Sequence, residues 1–176
     1  MPDPYKLLKK IKIYSKSPGT LESKVAYELG NPKKKAVANI STRYNGDDAN
    51  DDAPRHATTS QYTTESLRNK LPFGLGNSIM GRGLAAFGAN VLGAAHEVKA
   101  GYSAVKSGSS TLKDTLIEGV EDLTNNYAGS IVGAIGNSKM DDSKNKTIDK
   151  IVKYLPDGKY NSKPKKLIQK KWKTKN

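Results

Sequence analysis

The chain contains no cysteine, so neither a disulfide nor a thiolate metal site is available to it. Apolar residues make up 35% of it and phenylalanine and tryptophan together number three, which leaves material for only a lean core. The uncharged, mostly small or apolar stretch from Gly83 to Ala95 contains Asn90 and lies between Arg82 and Glu97, and it is too short to span a bilayer. No transmembrane helix is therefore expected. The start, Met1 to Lys6, lacks a basic region followed by an apolar one, so no signal peptide is expected either.

What is abundant is positive charge, and it is unevenly placed. The net charge is +13. Residues 1–40 carry +6, residues 41–149 carry −2 and residues 150–176 carry +9. A near-neutral middle with basic ends is expected to meet an anionic polymer, nucleic acid or cell-envelope material, through those ends.

Periodicity and punctuation give a mostly α-helical chain. Thr20 can cap a helix over Leu21 to Leu29, in which Leu21, Val25 and Leu29 recur every four residues. Gly30 suits a left-handed cap and Asn31-Pro32 stops the helix. Asn45 to Asp52 reads as a loop, with Asp52 then capping a helix to about Leu71. Phe73 to Gly83 reads as a glycine-rich turn. A long helix over about Ser78 to Val105 carries Leu84, Phe87, Val91, Val98, Tyr102 and Val105 as its main apolar stripe. Apolar or small all round, it is the helix expected to lie buried at the centre.

A further helix starts near Thr111, with Leu112, Leu116, Val120, Leu123 and Tyr127 as its apolar face. Asn137 to Asn145 reads as a polar linker and Ile148 to Leu155 as a short helix. Strands are possible at Lys10 to Tyr14 and Ala36 to Tyr44. The resulting organisation is a basic N-terminal segment (1–44), a helical core (45–137), and a linker, helix and lysine-rich tail (138–176). The expected architecture is a single compact helical domain around the small-residue-rich helix, with basic terminal extensions.

The chain's two histidines both fall beside acids: His56 in Asp51-Asp52-Ala53-Pro54-Arg55-His56-Ala57 and His96 in Ala95-His96-Glu97. A third polar cluster runs from Glu121 to Asn126. Histidine suits proton transfer or metal binding near neutral pH. One reading is a divalent-metal site of His56, His96 and Asp122, with Glu97 as base. Another, without metal, has His56 and His96 as a general acid–base pair, or Glu97 as a protonated acid in a buried pocket. Arg55, Asn125 and Asn126 would then hold substrate. The structural alternative is that Asp52 caps a helix, Arg55 pairs with Asp51 or Glu121, and His96 is a core histidine.

The order D-A-x-R-H-A, A-H-E and D-L-x-N-N-x-x-G resembles a family of small helical domains of unknown function. Such domains occur in secreted bacterial proteins, toxin-like modules and tailed-phage proteins. The likeness spans roughly residues 45 to 135. It implies that Asp52, Arg55, His56, His96, Glu97, Asp122, Asn125 and Asn126 cluster in space. The chain departs from the family pattern at Ala57-Thr58-Thr59, where an aromatic is usual, and at Glu121, where a methionine is usual. The reading that combines these features is a phage-particle or phage-like hydrolase acting on cell-envelope polymer, in a virion or an infected host's cytoplasm. The alternative is a non-enzymatic virion assembly protein whose basic termini bind neighbouring virion proteins or nucleic acid.

Overall fold

In the computed structural model, residues 21–43, 52–138 and 142–156 are described, and among them there is no strand. The chain divides between Asn31 and Pro32 into two units. The first contributes helix α1, Leu21–Glu28. It ends as its punctuation predicts, with Gly30 at φ 76° and Asn31 at φ 52°.

The second unit holds α2 (Pro32–Arg43), α3 (Asp52–Lys70), a 3-10 turn (Pro72–Asn77), α4 (Ile79–Lys106), α5 (Leu112–Ala134) and α6 (Asp142–Val152). The strand expected over Ala36 to Tyr44 is helix instead as far as Arg43, the last residue described there. Pro32 opens that helix, where a missing N–H costs nothing, and Ala36 and Ile40, four apart, are both fully buried. The strand expected at Lys10 to Tyr14 and the loop at 45–51 lie outside the described residues. Helix α6 begins six residues before Ile148, inside the stretch read as linker. Lys144, Ile148 and Val152 share one face, and all three are buried. Ser78 and Thr111 cap α4 and α5, their side-chain oxygens accepting from the N–H groups of Gly81 and Asp114.

The central helix is not α4, as its small residues predict, but the hydroxyl-rich α3. It packs against α2, α4, α5, α6 and the 3-10 turn. Thr58, Gln61, Thr64 and Arg68 of α3 are almost wholly buried. Thr63 and Thr64 tolerate this because their hydroxyls donate to the carbonyls one turn back, Thr59 at 2.8 Å and Ser60 at 2.9 Å. The apolar contribution is a modest cluster of Ala53, Ala57, Val132, Ile148, Val152 and Leu155.

Backbone contact sets the packing of α3 on α5. A Cβ placed on Gly129 would lie 1.9 Å from the carbonyl oxygen of Ala57, and one on Gly133 would lie 2.7 Å from that of Gln61. The two helices therefore touch through their main chains. Arg68 fastens the far end of this contact. Its guanidinium donates to the carbonyls of Gly76 (2.7 Å), Gly133 (2.8 Å), Gly136 (2.7 Å) and Asn137 (2.9 Å), and to Asn77 Oδ1 (3.0 Å). A cation among the last carbonyls of α5 is also favoured by the helix dipole. Beside it, Lys144 Nζ reaches Glu65 Oε1 at 3.0 Å and ties α6 to α3.

This docking leaves the expected apolar stripes outside. On α4, Leu84, Phe87, Val91, Val98, Tyr102 and Val105 are 38–74% exposed. On α5, Leu112, Leu116, Val120, Leu123 and Tyr127 are 38–64% exposed. The faces turned inward carry small and polar residues. Asn90 Nδ2 of α4 donates to Ser130 Oγ of α5 at 2.9 Å, and Gly93 lies against Asn126. Among the described residues no helix is long and apolar enough to cross a membrane.

The main-chain contact generates a prediction. Gly129→Ala should destabilise the fold by about 2–3 kcal/mol, because the neighbour in the way is backbone. Gly119→Ala, in the same helix but with nothing within 4 Å of its Cβ, should be stabilising by up to about 1 kcal/mol. Urea unfolding of the two variants checks the pair; equal midpoints would mean that α3 and α5 do not touch at Ala57.

Candidate functional site

Asp52 and His56 are four residues apart in the first turns of α3, so their side chains share a face. At this end of the helix, α4 supplies Glu97 and α5 supplies Asp122. His56 Nε2 lies 3.4 Å from Asp52 Oδ1 and 3.5 Å from Asp122 Oδ1. Its other nitrogen, Nδ1, lies 3.7 Å from Glu97 Oε1. The imidazole thus has one nitrogen between two aspartates and the other facing a glutamate. The side chains of His56, Glu97 and Asp122 are 13%, 10% and 13% exposed, whereas Asp52 at 32% opens the group to solvent. Glu97 Oε1 is buried and accepts no hydrogen bond, which is uncommon for a buried carboxylate oxygen outside a functional site.

Three carboxylates around one imidazole cannot all be charged cheaply. Burial, together with the hydrogen bond to Asp52 and the negative charges of Asp52 and Glu97, pushes the Asp122 carboxyl up to about 9. Asp52 is held well below the ordinary carboxylate range, first by its hydrogen bond with His56, then by that with Asp122 and by the charges of His56 and Arg55. Asp52 is thus pushed towards its charged form and Asp122 towards its protonated form.

The other expected site residues are placed differently. His96 is exposed and does not join the group. It lies on the α4 face of Ala85, Ala89, Leu92 and Ala100, which is buried at Ala85 and Ala89 but exposed from Leu92 through His96 to Ala100. Its neighbour Glu97, about 100° further round the helix, turns inward. The histidine pair is thus not assembled as an acid–base couple, and Asp52 stands where His96 was expected in the metal triad.

Arg55 pairs with Asp52; Asp51, one of the partners expected in the structural alternative, lies outside the described residues. Asn125 is fully buried and donates to the carbonyl of Pro156 at 3.0 Å, so its amide N–H fastens the end of the described chain and does not face the His56 group. Asn126 is buried against Gly93 in the α4–α5 contact. Asp52 is the member absent from the triad expected of the sequence. Its signal was present in the four-residue spacing to His56 on a helix.

No family model, curated protein or solved structure matches the chain.

The shift at Asp122 makes stability depend on pH. The raised Asp122 pKa favours the folded state fully below the ordinary aspartate range, and this contribution is lost as pH rises through about 9. Asp122→Asn keeps a donor towards Asp52 and removes the titration. The variant should gain on wild type by about 1–3 kcal/mol between pH 5 and pH 9. Thermal unfolding of both proteins across that range measures the gap; a constant difference would show that Asp122 carries no displaced proton.

Proposed function

We propose that Asp52, His56 and Asp122 bind a divalent cation at the centre of a hydrolytic site, with Glu97 holding His56 in position. The observation that carries this reading is the division of the His56 ring between Nε2, facing both aspartates, and Nδ1, facing Glu97. Metal-binding histidines commonly have a carboxylate beside their second ring nitrogen, which orients the ring, and Glu97 Oε1 stands 3.7 Å from Nδ1. One ligand atom from each of Asp52, His56 and Asp122 lies within 4.8 Å of the others. Tetrahedral ligands about 2.1 Å from a shared cation stand about 3.4 Å apart, close to the separations of 3.4 and 3.5 Å at His56 Nε2.

A cation held by three protein ligands supplies an activated water for hydrolysis. Asp52 and Asp122 would hold the cation as carboxylates and offset its charge, so its binding would be accompanied by proton release. The substrate class we propose is an anionic cell-envelope polymer. Its support is the charge distribution, with the basic excess at the two ends of the chain and none in the middle. A virion or phage-like delivery particle is the setting proposed with it, on the resemblance of the three motif islands.

The test is calorimetric titration with Zn²⁺ at pH 7.5 in two buffers of different ionisation enthalpy, paired with release of soluble fragments from purified peptidoglycan. Wild type should bind one ion per chain with proton release and should lose hydrolysis in EDTA. His56→Ala and Asp52→Asn should each weaken binding at least tenfold, while His96→Ala should leave binding and hydrolysis unchanged. Absence of saturable binding, or binding that survives His56→Ala, would leave the cluster as an internal polar network and favour a non-enzymatic assembly protein.

A further inference from the structure

We infer that the outer face of the α4–α5 hairpin packs against the same face of a second copy of this chain, forming an intermolecular four-helix bundle. The first support is the direction of the apolar rows. On α4, Ala85, Ala86 and Ala89 are buried, Gly88 and Glu97 meet Leu67 and His56 of α3, and Asn90 and Gly93 meet Ser130 and Asn126 of α5. On α5, Asp122 and Gly129 meet His56 and Ala57 of α3, Asn126 and Ser130 meet Gly93 and Asn90 of α4, and Glu121 and Asn125 are buried. At about 100° per residue, the rows Leu84–Val105 and Leu112–Ile131 then both point away from α3. They form one broad face on a single side of the hairpin.

The second support is spacing. Leu84, Phe87, Val91, Ala94, Val98, Tyr102 and Val105 are spaced by three, four, three, four, four and three residues, a mean of 3.5. That is the repeat of a helix seam that receives another helix, with side chains entering the spaces between its neighbours'. On α5, Leu112, Leu116, Val120, Leu123, Tyr127 and Ile131 are spaced by four, four, three, four and four residues and form a single helical stripe.

The third is extent. Twelve large apolar side chains in the two rows, each 38–74% exposed, present on the order of 1,000 Å² per chain, where a stable protein–protein interface needs about 800 Å² from each partner. Neither row contains a charged residue, as expected of an interface centre.

Charge decides between a second copy and a lipid surface. An interfacial helix on anionic lipid carries basic residues along its polar flank. Residues 79–134 hold four basic and five acidic side chains, so the hairpin itself offers such a surface no attraction. The inference stands apart from the proposed hydrolytic site, since none of Asp52, His56, Glu97 and Asp122 lies in either row.

The experiment is light scattering coupled to size exclusion and sedimentation velocity on the full chain at 1–100 μM (about 1–100 μM being the range in which stable interfaces are populated). It is combined with maleimide labelling of the Val98→Cys variant, whose introduced thiol is the only one in a chain that has no cysteine. The expected result is a dimer in which this thiol reacts at least tenfold more slowly than in unfolded protein, with protection rising with concentration. The double variant Phe87→Glu, Val98→Glu should weaken association at least a hundredfold and keep its helical circular dichroism. If that variant unfolds, the concentration dependence of thiol protection in Val98→Cys decides alone. A monomer at 100 μM overturns the inference, whether the introduced thiol is reactive or is covered by the chain itself. So does a dimer that survives both charges, and so does a monomer that partitions onto lipid vesicles.

Discussion

The close approach of α3 and α5 is the constraint on which the remaining structure depends. Gly129 and Gly133 leave no side chain between the helices, so the carbonyls of Ala57 and Gln61 occupy the space where Cβ atoms would be. Once that contact is made, the azimuth of α5 is fixed. The face that carries Asp122, Asn126 and Gly129 must look inward, and the row from Leu112 to Tyr127 must look outward. The residue before Ala57 is His56, and Asp122 lies two helical turns before Gly129. The helix contact and the imidazole–carboxylate group are therefore consequences of one geometry.

A buried interface this polar requires that its charged groups be satisfied. Arg68 is 2% exposed and spends its planar donor set on a ring of carbonyls at the end of α5 and on Asn77. Glu65 is paired with Lys144 and also receives a hydrogen bond from Gln61 at 3.2 Å. Burial still raises the Glu65 pKa, because removal from water outweighs both partners. Such groups fix register more than they add stability. Here Arg68 joins the last turn of α3 to the C-terminal end of α5, and Glu65 with Lys144 joins α3 to α6.

Helix positions were legible in the sequence, because caps and breakers act locally. Ser78, Thr111 and Pro72 bound α4, α5 and α3 as their chemistry requires. The orientation of the helices was not legible. Periodicity separates the faces of a helix but does not say which of them meets a neighbour, and here the small polar faces do. Helix α2 was hidden because its apolar face consists of little more than Ala36 and Ile40, and α6 because its first turns are anchored through Lys144. In the candidate site, His56, Glu97 and Asp122 were legible as residue types near acids. Their company was not: a single step along α4 separates Glu97, which turns inward, from His96, which does not, and only the packing of α3 resolves that step.

The composition of the α3 interface has a thermal consequence. Exposure of apolar surface raises the heat capacity on unfolding and exposure of polar surface lowers it. A centre made of Thr58, Gln61, Thr64, Glu65 and Arg68 gives the isolated unit little net increment. Its stability curve is then broad and shallow, changing little with temperature on either side of its maximum, and cold weakens it less than it would an oil-like core.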